Sequence, residues 1–477
     1  MAFPDGWSYY KTRNIKRASG ALSNWQARLV IAEGSSDVIG SELVTNGDGE
    51  STTGWSTWQC SVASVDGGHS GKCFQITDAA SSGGNNVYRS VAALYGHRYR
   101  MSGYVKSGTS GDEAYRLYLN PSGGPFTLYA EGVSSSTWTY FYKDFVQPFN
   151  SPVFINFTKD TSTNGTMLFD EISVKEIADI TLEGHAKTDF GDLRFSNSAN
   201  GPLDYFIDHI DGTTPNQVAY VDVEIDSVAT SDTQVKCWYG NSSATSESSA
   251  ANTFIVGDDF ERGNDGDAVG GDWTVVQGTV EIDTAQAYAG TRSARVCGGS
   301  TTGSATIPMT AASGEYTITV RTRKTANAGP VYPTLHGNGT NRIAYRCETD
   351  EKIMHLNSAG GAVDTGYTCT ADAWMLFEVN NIDFSAGTYD LYHNGALVKS
   401  SVEMQSHAET NVIRAHSSDT TANDDFWIDN LIVRNWRSTP PEWQGDGWSA
   451  EQENSGSTIV FLPHIMRHHF IPPLGGY

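Results

Sequence analysis

The chain has 477 residues, far more than one β-sandwich of roughly 100 to 200 residues needs, so several domains are expected. Its 55 Asp and Glu against 31 Lys and Arg leave a formal charge of −24, which repels phosphate backbones and excludes nucleic acid as a partner. No stretch approaches the roughly 20 apolar residues of a membrane span, so no membrane insertion is expected.

The chain is rich in Gly, Ser, Thr, Tyr and Trp and lacks the excess of Ala, Leu, Glu and Lys found in long helices. Thr, Val, Tyr and Trp suit a pleated surface, and Gly, Asn and Asp suit tight turns. The expected fold class is all-β, a multi-domain array of β-sandwiches and jelly rolls with little helix. The opening, MAFPDGWSYYKTRN, has no apolar core of a signal peptide. Residues 24–33 alternate as a half-buried strand does. The text changes character near residue 41 and changes back near 178, which predicts a domain inserted at an exposed loop. The expected division is 1–40 plus 178–250 for a discontinuous host sandwich and 41–177 for the insert. A third domain is expected over 254–436, and 437–477 forms a linker and a C-terminal anchoring tail.

The host pieces carry Trp7-Ser8-Tyr9-Tyr10-Lys11, Asp189-Phe190-Gly191-Asp192-Leu193-Arg194-Phe195, Leu203-Asp204-Tyr205-Phe206-Ile207 and Trp238-Tyr239-Gly240-Asn241. These four pieces, in this order, resemble a β-sandwich family of unknown function found in surface and virion proteins. That family offers no catalytic residues. Read from the residues alone, DLRF is a strand with inward Leu and Phe, and YGN is a turn.

The insert opens with Leu43-Val44-Thr45-Asn46-Gly47-Asp48-Gly49-Glu50, carries Tyr99–Lys106 in its middle and closes with Phe169-Asp170-Glu171-Ile172-Ser173-Val174. It resembles the galactose-binding-like jelly roll of family-4/9-type carbohydrate-binding modules, with Gly49 in place of the usual Phe. Its aromatic residues Trp58, Tyr115, Tyr118, Trp138, Tyr140 and Tyr142 are the candidates for sugar binding. Sugars stack their C–H faces on rings while amides and carboxylates bond their hydroxyls. Period two puts Trp138, Tyr140 and Tyr142 on one face of a strand, whereas Tyr115 and Tyr118 differ in parity. The alternative for each ring is a place in the core, and Trp55 is expected there.

After a Ser-rich linker, the third domain runs from Val256-Gly257-Asp258-Asp259-Phe260-Glu261 to Asp424–Val433. It resembles a concanavalin A-like, or laminin-G-like, jelly roll, whose first and last strands lie side by side. No cofactor is required by any motif. The resemblances do allow a structural calcium, held by Asp48, Glu50 and Asp170 in the insert and by Asp259 and Asp429 in the third domain. The alternative is that these acids cap turns.

The six cysteines form no zinc or redox spacing, but Cys60 with Cys73 and Cys347 with Cys369 could each pair. No GxSxG or HExxH motif is present, and no carboxylate pair stands out, so an enzyme is not expected. The basic, apolar tail with His464, His468 and His469 either packs back on the chain or joins a neighbour. Taken together, these features lead to the expectation of a virion structural protein, a capsid-decorating, tail-fibre or spike component. Its expected partners are other virion subunits, further copies of itself and a cell-surface glycan. A secreted or cell-surface polysaccharide-binding protein is the alternative, and a glycoside-active enzyme the next.

Overall fold

The computed structural model describes residues 4–454 apart from 19, 79–84, 94–96, 110, 122–126, 148–152, 160–164, 298–302, 310–315, 326–330, 338–340, 384, 405–411, 418–424, 436, 438–439 and 446. The described chain is all-β, built of antiparallel sheets packed in pairs, with a single four-residue helix at Ala250–Thr253.

The host sandwich is assembled from both ends of its sequence. One sheet runs Pro202–Leu203, Arg194–Asn197, Thr233–Tyr239, Tyr9–Lys16. The facing sheet runs Ile180–Thr181, Leu22–Ala32, Val218–Val228, Tyr205–Asp211. Their inner faces bury Ile15, Leu29, Ile31, Phe190, Leu193, Phe195, Val221 and Tyr239 in one core. The motif residues are architectural. Asp192 is fully buried and its carboxylate accepts the backbone N–H groups of Lys187, Gly240 and Asn241 at 2.8–3.0 Å. The Trp7 indole donates to the Asp192 carbonyl at 2.7 Å.

The chain leaves this sandwich after Leu22–Ala32 and returns at Ile180–Thr181. The two legs touch, with Val38 bridged to Ile177 and the Ile39 N–H donating to the Glu176 carbonyl. Ends this close are what let a second fold sit within a loop of the first. Between the legs lie two five-stranded sheets. The first runs Thr139–Val146, Arg98–Ser107, Thr166–Glu176, Lys72–Asp78, Cys60–Asp66. The second runs Ser56–Trp58, Asn85–Val91, Val153–Lys159, Ala114–Pro121, Thr127–Val133. Trp55 is buried between them against Phe74 and Phe157 and donates to the Asn46 carbonyl. Position 49 has no room for a side chain. Its φ is +71°, and a Cβ there would lie 2.5 Å from the Cys73 Cα.

The third unit pairs an eight-stranded sheet with a seven-stranded one around a core that includes Phe260, Trp273, Tyr345, Phe377, Tyr389 and Phe426. Its first strand, Val256–Asp258, lies beside its last, Phe426–Asn435. It docks on the host through a cluster of Phe206, Ala250, Phe254 and Ile432.

After that last strand the chain returns to the host. Glu442–Trp443 and Gln452–Glu453 both pair with Tyr9–Lys16, and Trp443 and Trp448 pack against the host core. The described part of the tail, up to Asn454, is therefore part of the first sandwich, because two indoles find an apolar edge there. His464, His468 and His469 lie outside the described residues.

Neither cysteine pairing takes the form of a bridge in the structure. Cys60 faces Asp78 and Cys73 faces Val65, so the ladder holds those two apart. Cys347 and Cys369 do meet: burial holds the Cys347 thiol protonated and it donates to Cys369.

Candidate functional site

The six aromatic candidates of the insert separate by strand parity. Tyr115 shares its parity with Leu117 and Leu119 and is buried with them, packed against Phe141 and Phe169. It belongs to the core and presents no ring to a ligand. Tyr118 has the opposite parity and lies on the outer face of the second sheet. Trp58 is on that same face, at the edge strand, and is 61% exposed. Trp138, Tyr140 and Tyr142 lie on the outer face of the first sheet, on the other side of the sandwich.

The outer face of the second sheet brings together residues from five segments of sequence. Alternation sends Val87, Val91, Val153, Ile155, Phe157, Leu117 and Leu119 inward. It sends their neighbours outward in cross-strand rows. One row reads Ser56, Tyr88, Asn156, Tyr118. The row beside it reads Trp58, Asn86, Thr158, Arg116, Glu131. On the other side stand Ser90, Phe154 and Asn120.

Asn156 and Thr158 are only 2% and 5% exposed although they lie on an outer face, so the surrounding side chains cover them. Tyr88 and Tyr118 flank Asn156 on the adjacent strands. Two interstrand spacings separate them, about 10 Å. The Tyr88 ring is held edge-on by Phe154 at 5.8 Å. The Asn156 amide Nδ2 donates to Asn120 Oδ1 at 2.5 Å and to the Phe154 carbonyl at 3.1 Å. Those bonds fix the amide, and among the described residues its Oδ1 accepts none. The Thr158 hydroxyl donates to Asn86 Oδ1, and Arg116 pairs with Glu131 at 3.3 Å. Rings, amides, a hydroxyl and a charged pair on one strip are the groups that bind a polyhydroxylated chain.

Beneath this strip the strand is pinned by charge. Lys159, fully buried, lies 2.7 Å from the buried carboxylate of Glu113. Sequence reasoning selected Trp58 and Tyr118 but not Tyr88, Phe154 or Asn156. The signal for Asn156 was present in Val153-Phe154-Ile155-Asn156-Phe157, where a lone amide stands on the face opposite Val153, Ile155 and Phe157.

The acids read as calcium ligands have other work. Glu50 accepts the Lys72 N–H at 2.8 Å, and Asp48 accepts the Glu50 N–H. Asp170 accepts from Ser70 and Glu171, and burial raises its pKa above the ordinary value against those donors. Asp259 accepts from Glu261, and Asp429 accepts from Tyr288, Ala289 and Asn430. Among the described residues no three His, Cys, Asp or Glu side chains are gathered around one point that could hold an ion. These carboxylates bond backbone donors, the alternative role weighed for them from the sequence.

A cleft of about 480 Å³ lies where the host meets the third unit, lined by Arg28, Asp208, Asp222, Arg321, Glu378 and Arg434 among others. Its walls are largely engaged with each other. Arg28 bonds Asp222 at 2.6 Å and Asp208 at 2.7 Å, and Arg434 reaches Asp222 at 3.4 Å. Burial alone would raise the Asp208 pKa, but Arg28 and His209 overcome it and hold the carboxyl far below the ordinary range. This network joins two domains and is read as a structural junction.

Residues 189–276 match the family described as a domain of unknown function, DUF2341. The match covers the later part of the host sandwich and the start of the third unit. No curated protein matches the chain. Among solved structures, the CBM22-1 xylan-binding domain from Paenibacillus barcinonensis Xyn10C is 17% identical, with 30% of this chain and 97% of that chain covered and a TM-score of 0.26. The cellulose induced protein Cip1 is 16% identical, with 39% and 99% covered and a TM-score of 0.31. The enzymatically active domain of tailspike protein 4 of Bacteriophage CBA120 is 12% identical, with 28% and 21% covered and a TM-score of 0.25. Values this low carry no argument about function.

Proposed function

We propose that this chain is a polysaccharide-binding protein and that the outer strip of the insert's second sheet is its binding groove. The observation that carries this reading is Asn156, a fixed and buried amide flanked on neighbouring strands by Tyr88 and Tyr118. A sugar chain laid across the strands would stack on those two rings and on Trp58 at the rim. The exposed Arg116–Glu131 pair beside the rings would bond its hydroxyls. The reading is one of binding rather than hydrolysis. Placement on a virion rests on the sequence resemblance alone.

The test is affinity gel electrophoresis of the intact protein through a panel of soluble plant and microbial polysaccharides. At least one polysaccharide is expected to retard the protein, and Tyr88→Ala is expected to abolish the retardation. Free migration through every gel, or equal retardation of the variant, contradicts the proposal. Release of reducing sugar from the bound polysaccharide would instead point to an enzyme.

A further inference from the structure

Three polar side chains are sealed into the core at one end of the insert's second sheet. Lys159 ends the strand Val153–Lys159, and its register partner on the neighbouring strand is Asn85, the first residue of Asn85–Val91. Residues directly opposed on antiparallel strands hold their Cβ atoms about 4.5–5.5 Å apart on one face of the sheet. Parity turns that face inward, because Lys159 shares it with Ile155 and Phe157, and Asn85 shares it with Val87. Both residues are fully buried. Glu113, just ahead of the strand Ala114–Pro121, is 6% exposed, and its carboxylate lies 2.7 Å from Lys159 Nζ. Tyr115 opposes Lys159 on the other neighbouring strand and is buried against Phe141 and Phe169, so the apolar core flanks the three.

An ion pair needs only Lys159 and Glu113. The third member, a fully buried amide in direct register with the lysine, supplies an electrophile. A lysine amine is a nucleophile once it gives up a proton, and the carboxylate 2.7 Å away can accept that proton. Holding amine and amide side by side replaces an encounter in solution with an intramolecular step, equivalent to an effective concentration on the order of 10⁵ M or more. Exclusion of water from the site protects the product from hydrolysis.

We propose that Lys159 and Asn85 form an intramolecular amide cross-link in the folded chain, with Glu113 as the proton carrier. Glu113 takes a proton from the Lys159 ammonium. The free amine attacks Asn85 Cγ and forms the Nζ–Cγ bond. A second proton passes from Nζ by way of the Glu113 carboxyl to Asn85 Nδ2, the Cγ–Nδ2 bond breaks, and ammonia leaves. Glu113 keeps one proton, so atoms and charge balance and no oxidant or cofactor enters. Until the bond forms, Lys159 and Glu113 remain a buried ion pair. The cross-link ties together the two strands that carry Tyr88 and Asn156, and it does not depend on what those residues bind.

The experiment is mass spectrometry of the intact, full-length protein and of its tryptic digest. The folded wild type is expected to weigh about 17 Da less than its sequence, the mass of one ammonia. Asn46-Gly47 and the other Asn-Gly steps can also lose ammonia, so the digest decides. It should yield a branched peptide that joins residues 73–89 to 144–175 and is uncut after Lys159, with fragment ions placing the link between Asn85 and Lys159. Lys159→Arg and Asn85→Ala are each expected to give linear peptides alone. Glu113→Gln, shown to be folded by a cooperative melt, is expected to form the link about 100-fold more slowly or worse. The wild-type digest needs no variant, so loss of fold in any of them leaves the test standing. Linear peptides alone from the folded wild type, with trypsin cutting after Lys159, overturn the proposal. A link that forms at the wild-type rate in Glu113→Gln overturns the role given to Glu113.

Discussion

Replacing Glu113 by Gln removes one charge of a pair that sits beneath the groove. Lys159 is fully buried and its Nζ lies 2.7 Å from the Glu113 carboxylate, itself nearly sealed from solvent. With an effective dielectric constant of 20, charges at that distance attract by about 6 kcal/mol. The desolvation of each ion costs several kcal/mol, so the net value of the intact pair is near zero. Removing one partner is a different matter, because the ammonium stays buried and loses the carboxylate 2.7 Å away. Glu113→Gln should therefore destabilise the insert by about 3–5 kcal/mol. For a unit of this size that is a fall in melting temperature of about 10 °C or more. The double variant Glu113→Leu/Lys159→Met removes both charges and should recover most of the loss. Differential scanning calorimetry of the wild type, both single variants and the double variant closes the cycle. A Glu113→Gln variant within about 1 kcal/mol of wild type, or a double variant worse than both singles, would refute this reasoning.

Three further outcomes follow from other regions. Burial pushes the Asp429 carboxyl up to about 7, so in the folded state it holds a proton that the unfolded chain releases near pH 4. Its contribution to stability is fully present below that lower value and is lost as pH rises through 7; thermal melts across this window should fall with pH, and Asp429→Asn should flatten the slope. Cys347 and Cys369 touch in the third unit, so a mild disulfide oxidant such as oxidised glutathione should close them into a bridge and raise stability by about 3 kcal/mol. Six titratable thiols in the denatured oxidised protein, rather than the four that one bridge leaves, would contradict that pairing. Truncation before Glu442 strips two strands and two indoles from the host edge, at a cost of about 2–5 kcal/mol. Limited proteolysis should then cut first within the host, and an unchanged digestion pattern would argue against the tail's role.

Much of the fold could be read from local text because its signals are local. Leu193 and Phe195 point inward as the alternation in Asp-Leu-Arg-Phe requires, and the turn at Tyr239-Gly240-Asn241 follows from its residues. The change of character near residues 41 and 178 coincides with the touching legs at Val38 and Ile177. The site was less legible because register joins it. Tyr88, Tyr118 and Asn156 stand on neighbouring strands but far apart in sequence, and nothing within any one strand tells which partner will lie alongside. Tyr115 turns inward with Leu117 and Leu119; the opposite parity of Tyr115 and Tyr118 was legible, but which of the two faces the core was not read from the flanking leucines. The acids chosen for calcium looked like ligands by composition, whereas their bonds to backbone N–H groups depend on how each loop closes.

The central claim rests on the groove, and isothermal titration with the most strongly retarding polysaccharide tests it most directly. The expected result is saturable binding by the intact protein and a loss of about tenfold or more in affinity in Tyr88→Ala/Tyr118→Ala, with an unchanged melting temperature. Wild-type affinity in that variant, with the fold intact, would contradict the assignment.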